Sequence, residues 1–472
     1  MLSPADRPIN RPLIAMLAIV FGGIFFVNEQ NFDMVLGRTH LTREEYRENS
    51  YTADIDDAGE HIASGSALRR VAFPLLGLIG GVLLLNGRRR HGYNVPVIIA
   101  AMLFYGMCLA SVLWSEMPNF TAKRVIVLGM TLFGLAGLAR SVTLRELIVL
   151  SAVVSTGFVL ASVLAELKMG MFTPWQGNYR FAGMVHPNTQ ASYCATMALS
   201  LFGLAMMRRK LTPWLATLLA LSFAFMFLTK SRSTMVGVML SMFVAWFFTA
   251  NRERRFMALV GGPLAALAIV TAFALSSQIG QDDLGKTAAL GREDEQLGGL
   301  NGRVPLWWYC LTPISRRPAF GYGYDSFWSP DEMQKATAEL SWTIPNSHNV
   351  LIEVQLNLGL VGLILFVTLT SLVIVQVCRR LLIEKDMALT FPVAFAIFGV
   401  TNSIFEAAFS QPSGMETFFA YCSLVVAVML PSRSAELEPL ESSPAEAPAN
   451  RLARRRHAPL SGWGRPSLGR ST

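Results

Sequence analysis

Long apolar runs constrain this chain more than any other feature of its sequence. Apolar stretches recur along it, and each has roughly the 15–25 residues that an α-helix needs to cross the hydrocarbon core of a bilayer. Backbone amides in lipid have no water to bind, and a helix satisfies them within one segment. We therefore predict an all-α, polytopic membrane helical bundle.

The apolar runs divide the chain into about twelve predicted transmembrane helices. They lie near 12–27, 71–86, 95–114, 125–139, 147–167, 189–207, 212–228, 234–250, 256–276, 350–378, 387–405 and 416–430. The first resembles a signal peptide, but it ends without a small-residue cleavage site, so we interpret it as a retained anchor. Composition agrees with membrane insertion, because 52% of the residues are hydrophobic and only 15% are charged.

Basic residues are concentrated in alternate loops, which predicts the orientation. The positive-inside rule assigns the basic stretches at 88–90, 140–145, 208–210, 252–255 and 379–385 to the cytoplasm. Both termini then lie in the cytoplasm. The opposite loops, including 28–70 and about 277–349, face the periplasm. This arrangement also explains the net charge of +8 without a nucleic-acid partner.

The predicted membrane topology divides the chain into three regions. Residues 1–124 hold the N-terminal spans and an acidic outward loop, 28–70. Residues 125–430 form the membrane core, with a large outward loop of about 277–349 between spans nine and ten. Residues 431–472 are rich in Pro, Ser, Glu and Arg, and we expect a disordered cytoplasmic tail. Aromatic residues in 305–345 predict that this part of the loop is packed or interfacial.

Metal and disulfide chemistry are not favoured by the sequence. The five cysteines form no CxxC or Cys/His pattern. The acidic pairs Asp282-Asp283 and Asp294-Glu295 are interpreted as solvated loop residues, because no further ligand stands at metal-binding spacing. We predict no metal and no cofactor.

Positive charge on the outward side breaks the topology rule and needs a reason. Arg180, Arg232 with Lys230, and Arg303 each lie beside small or turn-forming residues at the end of a span. One interpretation is contact with lipid headgroups, which we favour for Arg316 and Arg317. The other, favoured for the first three arginines, is a cluster that binds a dianionic ligand, since guanidinium groups hold phosphate oxygens bidentately.

His348 stands at the start of span ten. On one continuous helix, Gly359 and Gly362 would share its face, and glycines there would let a neighbouring helix approach closely. His348 would then point into a helix interface. A helix-end histidine bonded to a carbonyl is the alternative.

These residues resemble the O-antigen ligase and polymerase superfamily. His348-Asn349, nine residues, and then Gly359-x-x-Gly362 match a pattern of that family. Other family-like signals precede it in the family's order: Arg180-x-x-Gly183, His186-Pro187-Asn188, Ser231-Arg232-Ser233, Gly302-Arg303 and Gly321-Tyr-Gly323. The resemblance covers roughly 125–430, and the stretch Trp114-Ser115-Glu116 is similar to exopolysaccharide polymerases.

The resemblance implies an inverting, metal-independent glycosyltransferase of the bacterial inner membrane, with its catalytic loop in the periplasm. The implied partners are an undecaprenyl diphosphate-linked oligosaccharide, a glycan acceptor and the lipid bilayer, with chain-length regulators or export proteins as further candidates. His348 would be the catalytic base. Arg180, Arg232 and Arg303 would bind the diphosphate, with Lys230, Asn349, Gly359 and Gly362 in support.

Three functions stay open from the sequence. A polymerase would extend a lipid-linked exopolysaccharide or O-antigen. A ligase would move the finished glycan to lipid A-core or to a protein. A lipid-glycan transporter would perform no chemistry, and it would carry ionisable residues or broken helices near the bilayer midplane.

Overall fold

The computed structural model describes residues 9–30, 67–86, 94–176, 179–253, 255, 303–340, 342, 344–407, 410 and 414–429, and within these ranges it contains helices and no strands. The helices are α1 (Arg11–Glu29), α2 (Ala67–Asn86), α3 (Val95–Ala110), α4 (Pro118–Ser141), α5 (Leu144–Met169), α6 (Pro187–Arg208), α7 (Pro213–Leu228), α8 (Arg232–Thr249), α9 (Arg303–Arg316), α10 (Pro330–Leu340), α11 (Val350–Glu384), α12 (Thr390–Ser403) and α13 (Met415–Met429). The predicted all-α class is confirmed for this part of the chain.

Apolar helices occupy the predicted spans. Seven are long and apolar enough to cross a membrane, and four shorter apolar helices match spans two, seven, eleven and twelve. The ninth predicted span, 256–276, lies outside the described residues, as do most of the acidic loop 28–70, the stretch 277–302 and the tail 431–472. The chain is therefore a multi-pass membrane protein, and the count of twelve spans stays a prediction.

Helix α6 forms the centre of the bundle. It is buried on almost every face, and α5, α7, α8 and α12 pack around it. Small side chains along α6 permit this close packing, as expected where lipid removes the hydrophobic drive between helices. Helix α1 is also part of the bundle, because Phe21 and Phe25 pack on Phe418 of α13 with ring centroids 5.6 and 4.8 Å apart.

Helices α9 and α10 form a small apolar unit against the start of α11. Its buried residues include Leu306, Cys310, Tyr322, Trp328 and Leu356. The prediction that the aromatic stretch 305–345 is packed or interfacial is confirmed for the residues of this unit, whereas Trp308 and Phe320 are exposed. This unit fixes Arg303 and the chain that leads to His348.

Helix α11 is interrupted at Gly359, whose φ is 64° and ψ is −166°. Before the break, the carbonyl oxygens of Leu356 and Asn357 accept hydrogen bonds of 2.9 and 2.8 Å from two amides of the 317–323 segment. The amides of the two residues after Gly359 donate to carbonyls of the same segment at 2.8 and 3.2 Å. The loop thus replaces the helix's own hydrogen bonds at the break.

One end of the bundle gathers the connections that carry the predicted outward arginines. Glu166, at the end of α5, accepts hydrogen bonds of 2.8 Å from the amides of Ala182 and Gly183 and a short one from the Tyr179 hydroxyl. These bonds hold the 179–186 segment against the bundle. Arg180 is thereby brought to the ends of α7 and α12.

Candidate active site

The carboxylate of Glu406 lies at the centre of a charged cluster. Glu406 follows the end of α12 by three residues, and its side chain is 16% exposed. Its Oε1 accepts a 2.7 Å bond from Arg303 Nη2 and a 2.9 Å bond from Asn188 Nδ2. Its Oε2 lies 3.3 Å from Nδ1 of His348. One acid therefore joins two predicted site residues.

Arg180 joins the same cluster through Asn188. Its Nη2 donates to Asn188 Oδ1 at 3.3 Å, and its Nε donates to the carbonyl oxygen of Thr229 at 3.1 Å. The amide of Phe181 also donates to the carbonyl of Leu228 at 2.9 Å. The guanidinium is held between the α7–α8 turn and the start of α6.

Arg232 and Lys230 lie in or beside that α7–α8 turn. Lys230 has a positive φ of 56°, and Arg232 is the first residue of α8. Gly237, further along α8, packs against Thr401 near the end of α12. Arg232 therefore lies at the end of the bundle that carries Glu406. Among the described residues Arg232 has no hydrogen bond or ion pair.

His348 is held in an unusual backbone conformation just before α11. Its φ is 49°, a left-handed value that a residue with a side chain adopts only when its surroundings demand it. The His348 amide donates to Oδ1 of Asn346 at 2.9 Å, and the Trp342 ring lies over the imidazole with centroids 5.7 Å apart. The imidazole is fixed, with 7% of the side chain exposed.

Glu353, a buried acid in the first turn of α11, supports this conformation. Oε2 of Glu353 accepts hydrogen bonds from the Ser347 amide at 2.9 Å and from the Trp328 indole at 3.1 Å. The Trp307 indole donates to the carbonyl of Ser347 at 3.1 Å. The residue before His348 is thus bound on both sides by the α9–α10 unit and α11.

The electrostatic balance keeps Glu406 ionised. Burial of the carboxylate would raise its pKa. The hydrogen bond and charge of His348, followed by the charges of Arg303 and His186, outweigh burial and lower the pKa of Glu406 below its ordinary value. An ionised carboxylate only accepts hydrogen bonds, so Nδ1 of His348 carries the proton and Nε2 of a neutral ring is the free acceptor.

The supporting residues have structural roles. Asn349 is the N-cap of α11: its Oδ1 accepts from the amides of Leu351 and Ile352, and its Nδ2 donates to the carbonyl of Ile404. Gly359 and Gly362 lie in α11 at and after the break. Neither contacts His348 through a shared helical face.

The prediction of one continuous helical face from His348 to Gly362 is wrong. Helix α11 begins after His348, and Gly359 breaks it, so the residues on either side are not related by the regular rotation of a helix. The imidazole is directed instead to Glu406, a residue beyond the end of α12.

Arg317 makes contacts within the protein, whereas the sequence favoured contact with lipid headgroups. Its Nη2 pairs with Glu116 at 2.7 Å, and its guanidinium lies 4.7 Å from the centroid of the Tyr322 ring. The Trp114 indole donates to the carbonyl of Phe320 at 3.0 Å. The Trp114-Ser115-Glu116 stretch therefore fastens the segment that fills the break in α11.

Sequence reasoning missed Glu406 and the role of Asn188. No spacing pattern in the sequence connects Glu406 to His348 or Arg303. Asn188 belonged to a recognised motif without an assigned contact. A signal existed for Glu406: it is a carboxylate at the same end of the bundle as several cations.

Metal-binding geometry is not found in the described part of the chain, where no three His, Cys, Asp or Glu side chains come together as ligands. Asp282, Asp283, Asp294, Glu295 and Gly302 lie outside it.

One family model matches the chain. Residues 216–367 match the model described as O-Antigen ligase. The matched segment includes Arg232, Arg303, His348 and the break in α11, whereas Arg180 and Glu406 lie outside it. No curated protein matches the chain at a significant level. This match confirms the predicted resemblance of the segment to the O-antigen ligase and polymerase superfamily.

Proposed function

We propose that the protein is a glycosyltransferase of the bacterial inner membrane that extends a lipid-linked exopolysaccharide or O-antigen on the periplasmic face. The O-antigen ligase domain supports a membrane enzyme of ligase or polymerase type acting on lipid-linked glycans. The observation that carries the proposal is the convergence of Arg180, Arg303 and His348 on Glu406 and its partner Asn188.

The proposed donor is a glycan on undecaprenyl diphosphate. Breaking the bond between the anomeric carbon and the diphosphate leaves the electron pair on a phosphate oxygen, so negative charge develops there. Arg180, Arg232 and Arg303 would stabilise this charge, because guanidinium groups stay protonated and bind phosphate oxygens in pairs.

The proposed base is His348. As the acceptor hydroxyl forms its bond to the anomeric carbon, Nε2 takes the hydroxyl proton, and undecaprenyl diphosphate leaves from the opposite face with inversion. The small exposed fraction of the ring means that the acceptor must enter the cluster to reach Nε2.

The distribution of charge supports a periplasmic site. The opposite end of the bundle carries Arg140, Arg145, Arg208, Arg209 and Arg379, at the ends of α4, α5, α6 and α11. Clusters of this kind favour the cytoplasmic side. The cluster around Glu406 would then face the periplasm.

A transporter without chemistry is the competing class, and the break in α11 bears on it. After Gly359, the helix continues to Glu384, about 37 Å at 1.5 Å per residue, which alone spans a core of roughly 30 Å. The break would therefore lie at the membrane edge. Its backbone groups are bonded to the 317–323 segment, which favours a structural role.

His348→Ala tests the proposal. We expect turnover to fall by roughly 10²–10⁴-fold, the usual share of a positioned acid–base group, while donor binding survives. Wild-type turnover should fall at acid pH, because a protonated imidazole accepts no proton. The measurement uses reconstituted protein, lipid-linked oligosaccharide extracted from the producing cells, and assays of binding and product from pH 5.5 to 8.5.

His457→Ala, in the C-terminal tail, is the matched control and should behave as wild type. Intact catalysis in His348→Ala would exclude the general-base role. Analysis of the product separates a polymerase, which gives a longer lipid-linked glycan, from a ligase, which requires another acceptor.

A further inference from the structure

The geometry assigns to Glu406 the role of a positioning residue that couples donor binding to the catalytic base: it holds Arg303 and His348 together, and it keeps its contact with His348 once a diphosphate engages Arg303. This inference rests on the proposed function. It concerns a residue outside the matched O-antigen ligase segment.

The first step concerns the tautomer of His348. Oε2 of Glu406 faces Nδ1 at 3.3 Å, and the ionised carboxylate can only accept. The proton of a neutral ring is therefore placed on Nδ1. A carboxylate in this position also stabilises the imidazolium that forms when Nε2 takes a proton, as in acyl-transfer triads.

The second step concerns Arg303. Its Nη2 is 2.7 Å from Oε1 of Glu406, and both side chains are largely buried, with 12% and 16% exposed. This acid neutralises the charge of Arg303. A diphosphate carries more negative charge than one carboxylate, so it competes for the same guanidinium.

The third step links the competition for Arg303 to proton transfer at His348. The two oxygens of Glu406 serve different partners, Oε1 binding Arg303 and Asn188 and Oε2 facing His348. When Arg303 turns to the diphosphate, less positive charge opposes the imidazolium, and proton transfer to Nε2 becomes more favourable. The base is then strongest when the donor is bound.

Other charged groups lie near Glu406 and His348. His186 and Arg303 act on Glu406 directly, Arg180 binds its partner Asn188, and Glu353 binds the residue before His348. Lys230 and Arg232 lie at the α7–α8 turn, at the same end of the bundle. Most of these groups are cations, and Glu406 is the carboxylate that lies against the imidazole of His348. Removing its charge should have a specific effect on proton transfer.

Glu406→Gln is the test, because the amide keeps the size of the side chain and loses the charge. We expect turnover to fall by about 10²–10⁴-fold, since the amide can donate to Nδ1 and place the ring proton on Nε2. In the plot of turnover against pH, the fall on the acid side should move to lower pH, because the imidazolium of His348 loses the carboxylate that stabilises it. Binding of undecaprenyl diphosphate should be at least as tight as in wild type, since Arg303 no longer has a competing carboxylate.

Glu384→Gln is the matched control. Glu384 pairs with Arg380 at 2.8 Å at the other end of the bundle, so this variant also loses an arginine–carboxylate pair. It should leave turnover and the rate profile unchanged. Melting temperatures of both variants show whether folding contributes.

The double variant His348→Ala/Glu406→Gln separates this inference from the proposed function. If Glu406 acts through His348, the double variant should be no slower than His348→Ala alone. Independent, multiplying losses would overturn the inference, as would unchanged turnover in Glu406→Gln or a loss of diphosphate binding as large as the loss of rate. Those results would exclude the role of Glu406 and would still allow His348 to be the base. An active His348→Ala variant would instead exclude the proposed function itself.

Discussion

Arg180 uses two different nitrogen atoms for two different acceptors. Nε donates to Thr229 and Nη2 donates to Asn188, a geometry that the single ammonium group of lysine cannot reproduce. The same reasoning applies to a bidentate contact between Arg232 or Arg303 and a diphosphate. Charge alone is therefore not sufficient at these positions.

We predict that Arg→Lys at 180, 232 and 303 each reduces turnover, although the positive charge is kept. Arg316→Lys should be nearly silent, because Arg316 is exposed and, among the described residues, has no hydrogen bond or ion pair. The measurement is product formation by the four reconstituted variants. Equal tolerance at all four positions would instead favour contact with lipid headgroups.

Arg180, Arg232 and Arg303 stand out in the sequence because they break the topology rule. His348 stands out through its place before span ten and the family-like pattern that begins with it. A cation on the outward side is unusual in any membrane protein, so each such residue calls for a reason. Glu406 breaks no rule. Its partners Asn188, Arg303 and His348 are 218, 103 and 58 residues away, and only tertiary packing brings them together.

At the scale of secondary-structure elements, Gly359 is the single residue at which α11 is interrupted. Its φ of 64° with ψ of −166° suits glycine, and a Cβ there would collide with the backbone of Ala319 and Phe320. The 317–323 segment lies against the break, and Tyr322 belongs to the apolar unit below His348. A substitution at Gly359 should therefore also disturb the proposed active site around His348.

We predict that Gly359→Ala lowers both the melting temperature and turnover. A strained backbone at one position costs of order 1–3 kcal/mol, and the steric collision adds to it. Gly157→Ala is the control, because Gly157 lies inside α5 with no atom within 4 Å of an added Cβ. It should be neutral or stabilising. A Gly359→Ala variant as stable and active as the control would show that the break is not needed.

Hydropathy predicted the helices well and the break poorly. Length and apolarity identify a span, and eleven of the predicted spans correspond to apolar helices in the described residues. They say nothing about hydrogen bonds that a loop offers to a helix. The prediction for span ten therefore began at 350 as one straight helix, whereas α11 contains two pieces separated by a chain segment from the preceding loop.

At the scale of the whole molecule, the site is a set of guanidinium groups and a histidine at one end of a helical bundle. Divalent ions neutralise diphosphates in many transferases. Here three arginines are proposed to supply that positive charge. The chemistry then requires no added ion.

We accordingly predict that activity survives chelation. Turnover by the reconstituted protein in EDTA should match turnover in buffer, with a control in which excess Mg²⁺ is added back. If EDTA abolishes turnover and Mg²⁺ or Mn²⁺ restores it, the arginine-only mechanism is wrong. Asp282, Asp283, Asp294 and Glu295 would then be the first residues to substitute.

The orientation of the bundle determines whether the proposed chemistry has access to its substrate. Arg208 and Arg209 end α6, and α1 begins with Arg11, whereas Arg180, Arg303 and His348 lie at the opposite end. By the positive-inside rule we predict that a reporter fused at residue 300 is active in the periplasm and that fusions at 209 and 440 report from the cytoplasm. The comparison uses paired reporters, one active only in the periplasm and one only in the cytoplasm, with fusion levels matched by immunoblot. A cytoplasmic signal at residue 300 would put Arg303 and His348 on the side away from periplasmic lipid-linked glycans, and the proposed polymerisation could not take place there.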